Sequence, residues 1–127
     1  MNQVRFLTVA EILLIHQDQI SRYGGSLGLR DAGLLSSATA MPEAQFSGKY
    51  LHEDLFEMAA AYLFHLCQNH AFIDGNKRVS LAACLVFLDL NGVFLEDPNG
   101  SFYNMVIDVT LGKIGKKEIA SLLREAR

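Results

Sequence analysis

His70-Ala71-Phe72-Ile73-Asp74-Gly75-Asn76-Lys77-Arg78 stands between two long apolar segments of a 127-residue chain. Upstream, Leu55, Met58, Ala59, Tyr62, Leu63 and Leu66 recur at helical spacing and predict a helix from about Glu53 to Asn69. Downstream, Leu81 to Leu88 is apolar on every side. That predicts a helix from near Gly75 to Asn91-Gly92, buried all round and central to a bundle. The nine residues are therefore a helix–loop–helix junction carrying an imidazole, a carboxylate, a glycine, an amide and two cations.

The rest of the chain extends the helical pattern. Thr8 and Glu11 form a capping box for a first helix carrying Val9, Ile12, Leu13, Leu14 and Ile20, which Gly24-Gly25 ends. Asp31 caps a short second helix through Leu34, Leu35 and Ala38, ending before Pro42. Pro42 to Leu51 reads as a loop. Asp97-Pro98 reads as a cap with proline at the first helical position, opening a fifth helix through Phe102, Met105, Val106 and Val109. A last helix from about Lys116 turns Ile119, Leu122 and Leu123 inward. Gly92 to Leu95 offers at most a short extended piece. The expectation is an all-α fold, one domain over residues 1–127, with about six helices around a central one.

Composition narrows the function. Half the residues are apolar, enough for one core without disulfides or structural metal. A net charge of −3 argues against a general nucleic-acid binder. Cys67 and Cys84 lie inside apolar runs and read as buried free thiols of a cytoplasmic protein. Met1 to Arg5 lacks the apolar stretch of a signal peptide, and no run is long enough to span a membrane.

The loop has a chemistry of its own. The first N–H groups of a helix lack intrahelical partners and attract anions, phosphates especially. Gly75 lets a ligand approach the backbone, Asn76 offers an amide, Lys77 a point charge and Arg78 a bidentate fork. Asp74 fits a phosphate site if Mg²⁺ stands between, since magnesium takes one or two carboxylates and fills its octahedron with phosphate oxygens and water. His70 is then the candidate general base. Phe72 is expected to point inward and pin the loop. Singly, each residue has an ordinary reading: Asp74 as a helix cap, Lys77 and Arg78 as a solvated face. Together they suit phosphoryl or nucleotidyl transfer to a hydroxyl, which the spacing permits without proving.

The nonapeptide resembles the signature of the Fic/Doc superfamily, H-P-F-x-[D/E]-G-N-G-R. His70, Phe72, Asp74, Gly75, Asn76 and Arg78 match. Ala71 and Lys77 depart, and Leu81 stands where a further arginine is common; the departures resemble the H-x-F-x-D-x-N-K-R form of the Doc (death-on-curing) branch. Ile20-Ser21-Arg22-Tyr23-Gly24-Gly25, then Gly28, Arg30 and Asp31, extend the likeness. The resemblance implies a toxin that transfers the γ-phosphate of ATP to a hydroxyl of elongation factor Tu and is neutralised by a Phd-like antitoxin whose C-terminal segment folds on it. It implies His70 as base, Asp74 as Mg²⁺ ligand, and Gly75, Asn76, Lys77 and Arg78 as phosphate contacts. AMP transfer, as in Fic proteins, and a catalytically silent phosphate-binding module are the alternatives. Phe46, Lys49 and Tyr50 lie where the superfamily has a target-docking flap. Ser121 to Glu125 resembles the start of a self-inhibitory helix motif, which Ala126 breaks. Arg22 and Tyr23 read either as pocket lining or as a helix end. His16, His52 and His65 have no partners at metal-ligand spacing.

Overall fold

A computed structural model describes residues 3–127; Met1 and Asn2, part of the stretch read for a signal peptide, lie outside it. Among the described residues six α-helices form: α1 (Val9–Tyr23), α2 (Ala32–Ala40), α3 (Leu55–Asn69), α4 (Asn76–Leu90), α5 (Ser101–Thr110) and α6 (Lys116–Glu125). The all-α expectation holds. Local chemistry accounts for the starts. The Thr8 hydroxyl accepts the Glu11 N–H at 3.2 Å, and Glu11 Oε1 accepts the Thr8 N–H at 2.9 Å. Asp31 accepts the Leu34 N–H at 2.9 Å, and Asp54 the Glu57 N–H at 2.8 Å.

The central helix is α3, not α4. It packs against α2, α4, α5 and α6, while α1 packs on α4. Residues Met58 to Leu63 are all buried, as are Leu66 and Cys67. The reason is size: Ala59-Ala60-Ala61 lets neighbours approach α3 from several sides. On α4, Leu81, Ala82, Leu85 and Val86 are only partly covered, because one flank opens on a surface groove. Truncating a fully buried side chain such as Leu63 costs about 2–5 kcal/mol. The polar end of Tyr62 is also satisfied: the Leu7 N–H donates to its hydroxyl at 2.8 Å.

Four further expectations change. The segment after Pro42 is not a plain loop. A 3₁₀ turn (Met41–Glu43) leads into a two-stranded hairpin, β1 (Gln45–Phe46) and β2 (Lys49–Tyr50), with Gln45 opposite Tyr50. Ser47 and Gly48 both have positive φ, the mirror-image turn whose twist suits paired strands. Pro98 sits in a turn, and α5 begins at Ser101; Asp97 still caps it, accepting the Ser101 N–H at 2.7 Å and the Phe102 N–H at 3.1 Å. Leu14 and Leu122 face outward, on the solvent sides of α1 and α6. Gly92 to Leu95 forms no strand. Cys67 and Cys84 are free and buried, and burial pushes both thiols up, which keeps them protonated and unreactive. Among the described residues no helix is long and apolar enough to cross a membrane.

Candidate active site at the junction of α3 and α4

His70 ends α3 in the left-handed conformation, φ 49° and ψ 48°. A non-glycine residue there costs about 1–3 kcal/mol, so the surroundings must hold it. Arg30 does so. Its Nε donates to the His70 carbonyl at 2.7 Å and its Nη2 to the Asn69 carbonyl at 3.2 Å. A cation there also complements the negative end of the helix dipole. The main chain of the same segment continues the grip. The Arg30 and Asp31 N–H groups donate to the Ala71 carbonyl at 2.7 and 3.0 Å. Leu29 and Phe72 form an antiparallel bridge, and the Ile73 N–H donates to the Gly28 carbonyl at 3.1 Å. The His70 imidazole remains exposed and makes no hydrogen bond among the described residues.

Phe72 is buried, as expected. Asn76 clamps it: Asn76 Oδ1 accepts the Phe72 N–H at 3.0 Å, and Nδ2 donates to the Phe72 carbonyl at 2.9 Å. Shaping the loop is thus the first duty of this amide, with one Nδ2–H left for an anion. Gly75 caps α4 in the left-handed conformation without any side-chain cap. The first N–H groups of α4 are therefore left without a side-chain partner at the positive end of the helix dipole.

Asp74 lies beside that helix start. Its Oδ2 accepts the Ser26 N–H at 3.0 Å and its Oδ1 the Gly75 N–H at 2.8 Å. These two bonds, led by Ser26 and helped by the Arg78 charge, hold its carboxyl below the usual carboxylate range. The carboxylate is ionised at neutral pH, and each oxygen keeps lone-pair capacity for a cation. Among the described residues no three His, Cys, Asp or Glu side chains gather around a point. A single ionised carboxylate beside a helix start is the kind of protein ligand that Mg²⁺ would take with phosphate and water in its other positions.

The two cations diverge. Lys77 is exposed and makes no side-chain hydrogen bond among the described residues. Arg78 is half-buried; its Nη1 donates to the Gln19 carbonyl at 3.5 Å, and it closes one end of a groove of about 640 Å³ that includes Tyr23, Leu81 and Tyr103. Of the two residues read as pocket or helix end, Tyr23 faces that groove and Arg22 turns to Asp18 at 3.0 Å.

Ser26 and His16 join the site although the sequence gives them no role there. His16 is buried between Ile12 and Ile20 on the inner face of α1. Its ring stacks on Phe72 with centroids 3.8 Å apart, and its Nε2 lies 2.7 Å from the Asp74 carbonyl. The i, i+4 spacing of residues 12, 16 and 20 was the available signal. His52 and His65 stand elsewhere, sharing the Lys116 ammonium at 3.3 and 3.2 Å. Burial first, then Lys116, pushes the His65 imidazole down to about 4. Ser121 and Leu122 are exposed on α6, and Glu125 faces the turn before α5.

Comparison with known proteins shows the family of the chain. The model of the Fic/DOC family matches residues 6–88, which include α1, the locking segment, the loop and most of α4. The chain is 32% identical over 121 residues to "Protein kinase doc" of Escherichia phage P1, covering 95% of this chain and 94% of that protein. It is 48% identical over 73 residues to "Toxin Doc" of Mycolicibacterium smegmatis, covering 58% and 56% of the two chains.

Proposed function

From the premise that this chain belongs to the Fic/DOC family, on its Doc branch, we propose that it is the toxin of a toxin–antitoxin pair and a protein kinase. It transfers the γ-phosphate of ATP to a hydroxyl of a translation factor resembling elongation factor Tu, and so arrests translation in the cytoplasm. A Phd-like antitoxin restrains it. The names of the two relatives, a kinase and a toxin, support the reading. The observation that carries it is the start of α4, which no side chain caps, with the ionised Asp74 beside it and the His70 imidazole exposed at the other end of the same loop.

Each residue then has a task. His70 takes the proton of the target hydroxyl as its oxygen bonds to the γ-phosphorus and the bond to the bridging oxygen breaks. Asp74 holds Mg²⁺, which supplies charge neutralisation for the phosphates when bound. Lys77, Arg78, the amides of α4 and the remaining Asn76 N–H contact phosphate oxygens. Gly75 keeps the backbone open to them. Such chemistry is mostly positioning and charge stabilisation, and the lock formed by residues 28–31 serves the first. The exposed Phe46, Lys49 and Tyr50 of the hairpin contact the protein target.

The test is intact-mass analysis of purified elongation factor Tu after incubation with the chain, ATP and Mg²⁺. The expected product carries one added phosphate. Addition of AMP would replace the kinase reading with nucleotidyl transfer on the same loop. An unchanged target with unhydrolysed ATP would favour the silent binding module.

A further inference from the structure

We propose that His16 is a positioning residue of this site: from α1 it fixes the Asp74 main chain, and through it the carboxylate that faces the metal and phosphate. The proposal rests on the reading of the loop as a phosphotransfer site.

The placement is costly unless it has a use. His16 is 3% exposed, on the same face as Ile12 and Ile20, where a leucine would bury more apolar surface. Its polar edge is used. The Asp74 carbonyl can only accept, so the His16 Nε2 that lies 2.7 Å away carries the hydrogen. The face of the ring is used as well: it lies 3.8 Å from the Phe72 ring and within 9° of parallel. One side chain thus touches the loop at Phe72 and at Asp74.

The consequence is three-point fixation of Asp74. Its carbonyl is held by His16, its Oδ2 by the Ser26 N–H and its Oδ1 by the Gly75 N–H. Neither the peptide nor the carboxylate is free to turn. The fit beneath is close: a Cβ on Gly75 would stand 3.1 Å from Ile20 Cδ1 and 3.4 Å from His16 Nε2. Helix α1 is the floor on which the turn into α4 rests. Without the His16 donor, the Asp74 peptide loses its anchor to that floor, and the two N–H bonds to the carboxylate loosen with it.

Two substitutions separate the donor from the ring. His16→Phe keeps an aromatic face against Phe72 and removes the N–H. His16→Gln removes the ring and keeps an N–H at similar reach. In the full chain without ligand, NMR is expected to find hydrogen on His16 Nε2. Amide proton exchange at Ser26 and Gly75 is expected to quicken about tenfold in His16→Phe and to stay near the parent rate in His16→Gln. In the transfer assay, kcat should fall about tenfold to a hundredfold in His16→Phe with a smaller change in KM for ATP, and should recover to within a few-fold in His16→Gln. A parent ring protonated at Nδ1 alone would overturn the proposal, and so would equal exchange and equal kcat losses in the two variants. Should His16→Phe fail to fold, the parent's tautomer and the exchange rates of His16→Gln decide. A parent chain that transfers no phosphate would defeat the functional reading and leave the exchange and tautomer results to judge His16.

Discussion

Arg30 and His70 are joined through the main chain: the guanidinium reaches across 40 residues of sequence to hold the carbonyl of the left-handed residue that ends α3. The direction in which the imidazole leaves the helix is set by that contact. Arg30→Ala should leave the core intact and lower transfer about tenfold, in proportion to one charge-assisted hydrogen bond. Arg30→Lys, with a point charge in place of a fork, should recover only part of the loss. Steady-state kinetics beside a thermal melt would check both.

His70→Ala should lower transfer by about 10²–10⁴-fold, the range for loss of a general base. Because the side chain is exposed, the melting temperature should move little. A well-expressed His70→Ala chain that still arrests growth would remove His70 from the role.

Gly25→Ala should damage the site without touching any signature residue. Gly25 has φ +115°, and a Cβ there would stand 2.6 Å from Asp74 Oδ2 and 3.0 Å from Arg78 Nη2. The new methyl group must displace the carboxylate or the cation. We expect at least a tenfold loss of kcat and a raised Mg²⁺ requirement, read by titrating the metal at fixed ATP.

Tyr62→Phe should destabilise the fold while sparing the chemistry. It strands the buried Leu7 N–H that donates to the Tyr62 hydroxyl. Leaving a buried donor unpaired costs about 1–3 kcal/mol, several degrees of melting temperature for a domain of this size. Calorimetry would measure it.

Acid should weaken the fold before its carboxylates titrate. The His65 imidazole has an ordinary value of 6.5 and is pushed down to about 4 in the folded chain by burial and by Lys116. Between those values the unfolded chain binds more protons, so stability is complete above about pH 6.5 and drains away as pH falls toward 4. His52 shifts in the same direction for the same causes. Glu11, held down to about 2 beside Arg5, stabilises in full above about pH 4.5 and loses its share only as pH falls from 4.5 toward 2. Lys116→Met removes the cation that both imidazoles face, and the drop in melting temperature between pH 7 and pH 5 should shrink.

The letters of the site, and most helix starts, were legible because each is local. Thr8 and Asp31 cap helices within three residues of themselves. What was missed depends on distant partners. Apolar periodicity marked α4 as buried all round, yet it cannot say that one flank of Leu81, Leu85 and Val86 faces a groove. The Ser47-Gly48 turn was readable in composition but lacked flanking alternation. Arg30, Ser26 and His16 meet the loop 40, 48 and 58 residues away, each in a bond with a main-chain group on one side, and such contacts leave little trace in residue type.

The bridge between Leu29 and Phe72 has a bearing on transplantation. A chimera that carried only the nonapeptide, spliced between two foreign helices, would inherit the spelling and the Asn76 clamp but not the rest of the curvature, which residues 16 to 31 hold from outside. Engineering this chemistry into another scaffold therefore means moving the first third of the chain along with the signature.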